Sequence, residues 1–267
     1  MIFCPLYSGS SGNSAYIASG DTAVLIDAGL TGKAIENALS SIGADIHKIS
    51  GIVVTHEHSD HVKGVGVLAR RYRMPVYCTN GTWQAMPGQV GQIPPELRRE
   101  FEAGEDFFIG DLSFSPFSIP HDAADPVGFR VWGDGYSVAV ATDMGYMRKQ
   151  VMEAVAGSDL ILLESNYDPD MLSVNPHYTS HLKQRIRGRR GHLSNDDCAG
   201  AVTDLYDTGC RHVVLGHLSG ENNTPELALE TVRQSILARG LRPGEDITLD
   251  IAWRDRVGSV YTLQRER

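Results

Sequence analysis

The sequence predicts an α/β fold, and three observations support this. Short apolar runs alternate along the chain with stretches of helical periodicity. No linker or low-complexity segment divides them. The 267 residues are 42% hydrophobic and 21% charged, which suits one large soluble domain or two intimate halves and excludes disordered and fibrous classes. We therefore treat residues 1–267 as a single domain.

The individual elements follow from periodicity and from turn signals. In the N-terminal part, strands are predicted at residues 14–17 and 23–26, followed by a helix at 33–42 that stops at Gly43. Later strands are predicted at residues 112–119, 129–132, 137–141, 160–163 and 213–215. Helices are predicted at 196–206 and, with Thr224 as cap and Pro225 in the first turn, at 226–238. The tail predicts a closing pair of strands at 247–253 and 259–263.

Composition also limits compartment and partners. No stretch approaches the ~20 apolar residues of a membrane helix, and the N-terminus lacks a signal pattern, so we expect a cytoplasmic protein without a membrane partner. The cysteines have no metal or redox spacing and are expected to be reduced core residues: Cys4, Cys78, Cys198 and Cys210. The net charge of −9 argues against loose attraction to nucleic acid.

Two local clusters of cations run against this total charge. The larger cluster, called the basic run below, consists of Lys183, Arg185, Arg187, Arg189 and Arg190. The smaller consists of Arg70, Arg71 and Arg73. Each is explained equally by a solvated helix face, and we expect that explanation to hold for the smaller cluster.

Residues 55–61 carry the strongest functional signal. Three imidazoles and a carboxylate follow the apolar run at 51–54. In extended backbone His56 and His58 can point at one ion, whereas Asp60 and His61 fall on the opposite side and can serve a second. Imidazole and carboxylate suit zinc, manganese or iron. The alternative is a surface loop that happens to be rich in histidine.

Three further metal-competent residues each lie just past a predicted strand: His121, Asp143 and His217. Ligands of α/β proteins gather where strands run out into loops, so these residues are predicted to share one site with residues 55–61. The economical partition gives one ion to His56, His58 and His121, a second ion to Asp60, His61 and His217, and Asp143 as a bridge. Two ions ~3.5–4 Å apart can hold a hydroxide between them, which predicts hydrolysis.

This ordered set resembles the metallo-β-lactamase superfamily over nearly the whole chain. The resemblance implies a four-layer αββα sandwich with two divalent ions at one edge, zinc in first place and manganese or iron as alternatives. The segments at 8–13, 25–30, 163–168 and 191–195 look like the YycJ (WalJ) branch, which is related to ribonuclease Z and J and phosphodiesterase types. The branch implies a nuclease or phosphodiesterase, with nucleic acid as partner and DNA attacked from an end as the first substrate guess.

His192 is the main candidate outside the metal set. Like an additional active-site histidine of the ribonuclease Z type, it lies between two predicted ligands, and it directly follows the basic run. We expect it to contact the scissile phosphate or to protonate the leaving oxygen, while Arg189 or Arg190 holds the backbone. The alternative is that His192 helps start the next helix, where Ser194 and Asp197 have capping-box spacing.

Other candidates stay open between a site role and a structural one. The glycine-rich segment at 8–13 lacks the ending of a P-loop, and its Ser11 and Asn13 either line the site or only shape a turn. Asp27 either orients a metal-binding histidine or caps the next turn. Asp60 is expected to act with Asp143 in fixing the geometry and charge of the attacking water. The remaining histidines are assigned no site role: His47, His177, His181 and His212. For His177 and His181 the alternative is contact with a polyanion, because they flank the start of the basic run.

Two other functions compete with the nuclease interpretation. The same centre can hydrolyse a small thioester, lactone or lactam, as in other members of the superfamily, although the basic run argues against this. A non-catalytic regulatory or binding module is the second, and the complete set of seven ligands argues against it. No clamp domain of the ribonuclease J kind fits between Asp143 and His217, and the sequence assigns no oligomeric state.

Overall fold

The computed structural model describes residues 1–86 and 88–264. Their strands are β1 Ile2–Tyr7, β2 Ser14–Ser19, β3 Thr22–Ile26, β4 Ile49–Val53, β5 Val76–Cys78, β6 Arg98–Glu100, β7 Phe107–Ile109, β8 Leu112–Ser118, β9 Val127–Gly133, β10 Tyr136–Ala141, β11 Leu160–Glu164, β12 His212–Gly216, β13 Thr248–Ile251 and β14 Tyr261–Thr262. Their α-helices are α1 Gly32–Ser41, α2 Ser59–Val62, α3 Val65–Tyr72, α4 Asn80–Ala85, α5 Lys149–Val155, α6 Pro169–Val174, α7 Ser180–Arg187, α8 Asn195–Asp207 and α9 Pro225–Ala238.

The chain divides into two compact units. The first comprises Met1–Ser118, Ala123–Tyr136 and the residues from Trp253 onward, and the second comprises Ile119–Asp122 and Ser137–Ala252. The prediction of one domain over residues 1–267 stays a prediction.

The first unit is built on a mixed sheet in the order β14-β1-β2-β3-β4-β5-β6. Strands β1 to β3 are antiparallel neighbours, and β3 to β6 run parallel. Apolar residues of α1 and α3, such as Ile35 and Leu68, share one buried cluster with Leu25 and Ile52 of the sheet. Strands β7, β8 and β9 add an antiparallel meander, in which Phe107 and Phe114 stack at 5.0 Å. Burial of these apolar faces stabilises the first unit.

The second unit contains four parallel strands in the order β10-β11-β12-β13. Residues 160–163 and 213–215 are fully or almost fully buried, as expected of parallel strands covered on both faces. Helix α9 begins at the predicted cap, since the Thr224 side chain accepts from the backbone N–H of Leu227 at 3.2 Å. Parallel strands end at the same edge of their sheet, so residues that follow β10, β11 and β12 are brought together.

Most predicted elements are confirmed within a few residues, and the pairing of the tail strands is corrected. The tail strands do not pair with each other, because β13 pairs with β12 and β14 pairs with β1. Two helices follow β4, namely α2 and α3. They separate at Gly64, whose N–H donates to the Ala28 carbonyl at 2.7 Å and where a Cβ would lie only 2.3 Å from the Leu30 carbonyl oxygen.

The cysteines are buried as predicted. Burial raises the pKa of Cys4 to about 11 and that of Cys198 to about 12, so both thiols are protonated at neutral pH. Among residues 1–86 and 88–264, no helix combines the length and apolar character needed to cross a membrane.

Candidate metal centre

Residues 56–61 form one cluster of donors in the first unit. The backbone leaves β4 without helical structure, and His56 Nε2 lies 3.2 Å from His58 Nδ1, as two ligands of one ion require. The next turn is α2, which places His61 Nε2 3.6 Å from Asp60 Oδ2. His56 and His61 are fully buried, with ring centroids 4.1 Å apart. The structure therefore brings together the four predicted ligands of this segment.

Asp27 orients this cluster instead of capping a turn. It follows β3, which runs parallel to β4, so its side chain reaches the residues that follow β4. Its carboxylate lies 2.8 Å from His61 Nδ1 and accepts hydrogen bonds from the N–H and hydroxyl of Thr55, each at 2.8 Å. The backbone of Asp27 has φ 59°, a left-handed conformation that costs a non-glycine residue energy and is common at functional sites.

The glycine-rich turn between β1 and β2 is linked to the same cluster through Asn13. Its side-chain amide lies 3.0 Å from His61 Nε2 and 3.3 Å from Asp60 Oδ2. Gly29 permits this approach, because a Cβ there would lie 1.7 Å from the Asp60 carbonyl oxygen. Ser11 is exposed in the turn. Asn13 thus lies at the predicted ligands, and Ser11 lies on the surface of the turn.

A second cluster forms in the second unit, at the ends of three adjacent parallel strands. Asp143 follows β10, Glu164 ends β11, and His217 follows β12. Asp143 Oδ1 lies 3.4 Å from His217 Nδ1 and 3.8 Å from His121 Nε2. Asp143 and His217 are left-handed, with φ 60° and 54°, so both strands turn sharply where the donors stand. The other predicted ligands are therefore also together.

Glu164 is a residue that the sequence reasoning missed as part of the site. Its Oε1 lies 2.7 Å from His217 Nδ1 and 2.8 Å from His192 Nδ1, and its Oε2 accepts from the N–H groups of Met144 and Leu193. Burial alone would raise its pKa, but the two histidines hold the pKa well below its usual value. Glu164 is a charged, fully buried carboxylate. The signal in the sequence that could have identified Glu164 as a site residue was its position at the end of a predicted strand.

His192 has a polar contact that explains its position without any role in starting α8. The helix is capped by Ser194, whose hydroxyl accepts from the N–H of Asp197 at 3.1 Å. His192 instead lies against Glu164, and its side chain is 18% exposed whereas that of His217 is 2% exposed. Of the two histidines that contact Glu164 within the described residues, His192 is thus the more exposed.

The basic run is anchored around His121. Arg190 Nε donates to the His121 carbonyl at 2.9 Å, and the Gly191 carbonyl lies 3.2 Å from His121 Nδ1. The Arg189 guanidinium lies 4.5 Å from the centre of the Tyr146 ring. Burial lowers the pKa of His121, and Asp143 offsets this only in part, so the imidazole is neutral at pH 7. A neutral imidazole is the form that binds a metal.

The donors in both units fit divalent metal ions. Four of the histidines have an oxygen atom at Nδ1. In the first unit, His56 contacts the Thr55 hydroxyl and His61 contacts the Asp27 carboxylate. In the second unit, His121 contacts the Gly191 carbonyl and His217 contacts the Glu164 carboxylate. An oxygen at Nδ1 selects the tautomer whose Nε2 lone pair can bind an ion, and this arrangement is typical of metal-ligating histidines. Atoms of Asp143, Glu164, His192 and His217 also lie within 4.8 Å of one another.

Arg70 and Arg71 of the smaller cationic cluster, and the unassigned His212, have structural contacts. Arg70 donates to the carbonyls of Val90 and Gln92, and Arg71 pairs with Glu36 at 2.7 Å. His212 lies 2.7 Å from the Thr248 hydroxyl. That the smaller cluster has no site role stays a prediction.

Comparison with known proteins places this chain in a family. Residues 22–218 match the model described as Beta-lactamase superfamily domain. The chain belongs to the metallo-β-lactamase superfamily. Two curated relatives extend the match to most of the chain. Exodeoxyribonuclease YycJ of Bacillus anthracis is 39% identical over 243 residues, which cover 91% of this chain and 92% of the relative. Exodeoxyribonuclease WalJ of Streptococcus pneumoniae serotype 2 is 40% identical over 243 residues, covering 90% of each.

A solved structure shows the same superfamily fold. The metallo-β-lactamase fold protein YhfI of Bacillus subtilis matches with a TM-score of 0.74 over 98% of this chain and 100% of its own, at 14% identity. These matches confirm the predicted family, the YycJ-like branch and the αββα fold class. Together with the donor groups, superfamily membership implies divalent metal ions.

Proposed function

We propose that this chain is a metal-dependent phosphodiesterase that degrades nucleic acid, with DNA attacked from an end as its substrate. The observation that carries the proposal is the identity of 39% and 40%, over nine-tenths of the chain, with two relatives named exodeoxyribonucleases. The complete set of predicted donors supports a catalytic protein over a regulatory module. A cytoplasmic location belongs to the same proposal.

Seven residues are proposed to hold two divalent ions. His56, His58 and His121 would hold one ion, Asp60, His61 and His217 would hold the other, and Asp143 would serve both. Support comes from the oxygen contacts at Nδ1 of four of these histidines and from the absence of cysteine among the donors. When bound, such a pair activates water at neutral pH and neutralises charge on the phosphoryl group. Zinc suits this donor set first, and manganese or iron are the alternatives.

The proton for the leaving oxygen is assigned to His192. Glu164 accepts from His192 Nδ1–H, which leaves the second ring nitrogen to carry the transferable proton and stabilises the imidazolium. The partial exposure of His192 supports contact with a substrate. Asp60 and Asp143 add negative charge that fixes the position of the attacking water.

The substrate backbone is assigned to Arg189 and Arg190. Arg190 is fixed by the His121 carbonyl, and Arg189 lies over Tyr146, so both guanidinium groups stay close to the second cluster of donors. The Tyr146 ring is neutral, so the Arg189 guanidinium offers its positive charge to phosphate.

A substrate panel tests the proposal. The metal-loaded protein is assayed with bis-p-nitrophenyl phosphate and with end-labelled DNA and RNA oligonucleotides, and in parallel with thioester and lactam substrates. We expect hydrolysis of the diester and shortening of DNA from an end. Turnover of only the thioester or lactam would contradict the proposal and support the small-molecule hydrolase.

A further inference from the structure

A groove of about 780 Å³ lies in the second unit, outside the two donor clusters. Its lining comes from α6, the segment that follows α6 and the loop after β12: Met171, Val174, Asn175, Pro176, His177 and Glu221. Val174 is 77% exposed, the highest fraction among large hydrophobic side chains in the described part of the chain. The groove is thus an apolar surface whose lining also includes the His177 imidazole and the Glu221 carboxylate.

The groove is tied to the loop that begins at His217. The Asn175 side chain donates to Asn222 Oδ1 at 2.7 Å, and the backbone N–H of Asp168 donates to the Asn222 carbonyl at 2.8 Å. Glu221 follows His217 by four residues, and four residues span at most about 14 Å. A polymer that reacts at the His217 end of the candidate centre can therefore reach the groove within a few nucleotides.

Cations lie along the helix that forms the groove. Lys183 Nζ donates to the Ser173 carbonyl at 2.7 Å, and Arg187 Nη2 donates to the Pro169 carbonyl at 3.0 Å. Both partners are neutral oxygens, which position the side chains without cancelling their charge. Arg185 differs, because it pairs with Asp122 at 2.5 Å. In a chain of net charge −9, this local positive charge is complementary to a polyanion.

We propose that the groove holds an unpaired nucleobase of the substrate strand, while Lys183 and Arg187 hold neighbouring phosphates. This inference rests on the proposed nuclease function and names how the same site takes its polymer. Val174 contacts the face of the base and His177 stacks on it, as apolar and aromatic side chains do in single-strand sites. Glu221 repels phosphate and accepts from base amino groups, so the base and not the backbone enters the groove. The protein therefore prefers single-stranded or frayed ends to closed duplex.

Two groove variants and one matched control test the inference. Val174→Glu and His177→Ala change exposed side chains, and Leu237→Glu on α9 alters a side chain that is 48% exposed away from the groove. We expect both groove variants to raise KM for a single-stranded oligonucleotide about tenfold. Their turnover of bis-p-nitrophenyl phosphate stays unchanged, because this diester is too small to span the centre and the groove. Leu237→Glu changes neither value.

Oligonucleotides that carry an abasic residue show whether a base occupies the groove. With the abasic residue placed in turn at each of the first four positions from the attacked end, the wild-type protein loses about tenfold in kcat/KM at one position. Val174→Glu shows no further loss at that position. The two substrates compared are the unmodified single-stranded oligonucleotide and bis-p-nitrophenyl phosphate. If the wild type hydrolyses both and the groove variants have the same KM for the oligonucleotide as Leu237→Glu, the groove proposal is overturned and the nuclease function stands. An equal loss on both substrates also overturns it. Failure of the wild type on both substrates contradicts the proposed function itself.

Discussion

The carboxylate of Glu164 lies 2.7 Å from Nδ1 of His217. The same oxygen lies 2.8 Å from Nδ1 of His192. One buried anion thus orients a proposed metal ligand and the proposed proton donor together. This shared carboxylate links metal binding to proton transfer, so a mutation of Glu164 is expected to affect both functions.

Replacing Glu164 with glutamine keeps the size of the side chain but removes its charge. We expect metal affinity to fall about 10–100-fold, as is typical when a partner of a metal-ligating histidine is changed. DNA turnover at saturating metal should remain low, because His192 has lost the anion that supports its proton. The measurement is a metal titration followed by assay at saturation. The exposed residue Glu230 offers the matched control Glu230→Gln, and equal metal affinity in the two variants would contradict the role of Glu164.

Asp27→Asn tests the corresponding contact in the first unit. The amide cannot accept from Thr55 and hold His61 as the carboxylate does, so we expect a 10–100-fold loss of metal affinity. Asp45→Asn is the control, because Asp45 caps a short surface helix through the His47 N–H and asparagine caps equally well. An unchanged metal affinity in Asp27→Asn would show that His61 needs no orienting anion.

His192→Ala separates proton donation from metal binding. We expect unchanged metal content and a loss of about 10²–10⁴-fold in kcat on DNA, whose leaving alkoxide needs a proton. The loss on bis-p-nitrophenyl phosphate should be much smaller, because p-nitrophenolate leaves without one. Intact DNA turnover at unchanged metal content would refute the assignment, and lost metal would make His192 a ligand.

Arg189→Ala addresses the substrate backbone. Removing one phosphate contact should weaken oligonucleotide binding for every sequence and reduce the slope of log affinity against log salt by about 1. Binding is measured with metal-free protein across a salt series. Arg239→Ala is the control, because Arg239 already pairs with Asp207 on the surface. If the slope of log affinity against log salt is the same for Arg189→Ala and for the control, Arg189 does not contact the substrate backbone.

The thiols give a prediction that is independent of the reaction. Since burial raises the pKa of Cys4 to about 11 and of Cys198 to about 12, both stay protonated at pH 8 in the native protein. We expect iodoacetamide to leave them unmodified until the protein is unfolded, when all four cysteines react. Mass spectrometry of native and denatured samples measures this. Alkylation of Cys198 in the native state would contradict its burial.

Much of the fold was predictable because its long strands are apolar and their ends are polar. Residues 137–141 and 213–215 were recognisable as buried strands, and Asp143 and His217 stand directly beyond them. The three-residue strands β5 and β6 were missed, because so short a run carries no clear periodicity. The pairing of the tail strands was also wrong, since it depends on distant partners.

The candidate site was predictable in its ligands but not in the groups that hold them. Imidazoles and carboxylates at strand ends are visible in the sequence, whereas the contact of Glu164 with both His192 and His217 depends on the folded sheet edge. Asn13 shows the same limit, because its contact with His61 spans 48 positions of chain. Spacing along the chain carries no information about such contacts.

The proposed two-metal centre cleaves phosphodiester bonds only when both ions are bound. Its most direct test is to strip the protein of metal, add back zinc or manganese in measured equivalents, and record bound metal per chain together with the shortening of end-labelled DNA. We expect no cleavage by the stripped protein and full cleavage only as the second equivalent binds. Full cleavage without metal, or two bound ions with no cleavage of DNA or of bis-p-nitrophenyl phosphate, would contradict this expectation.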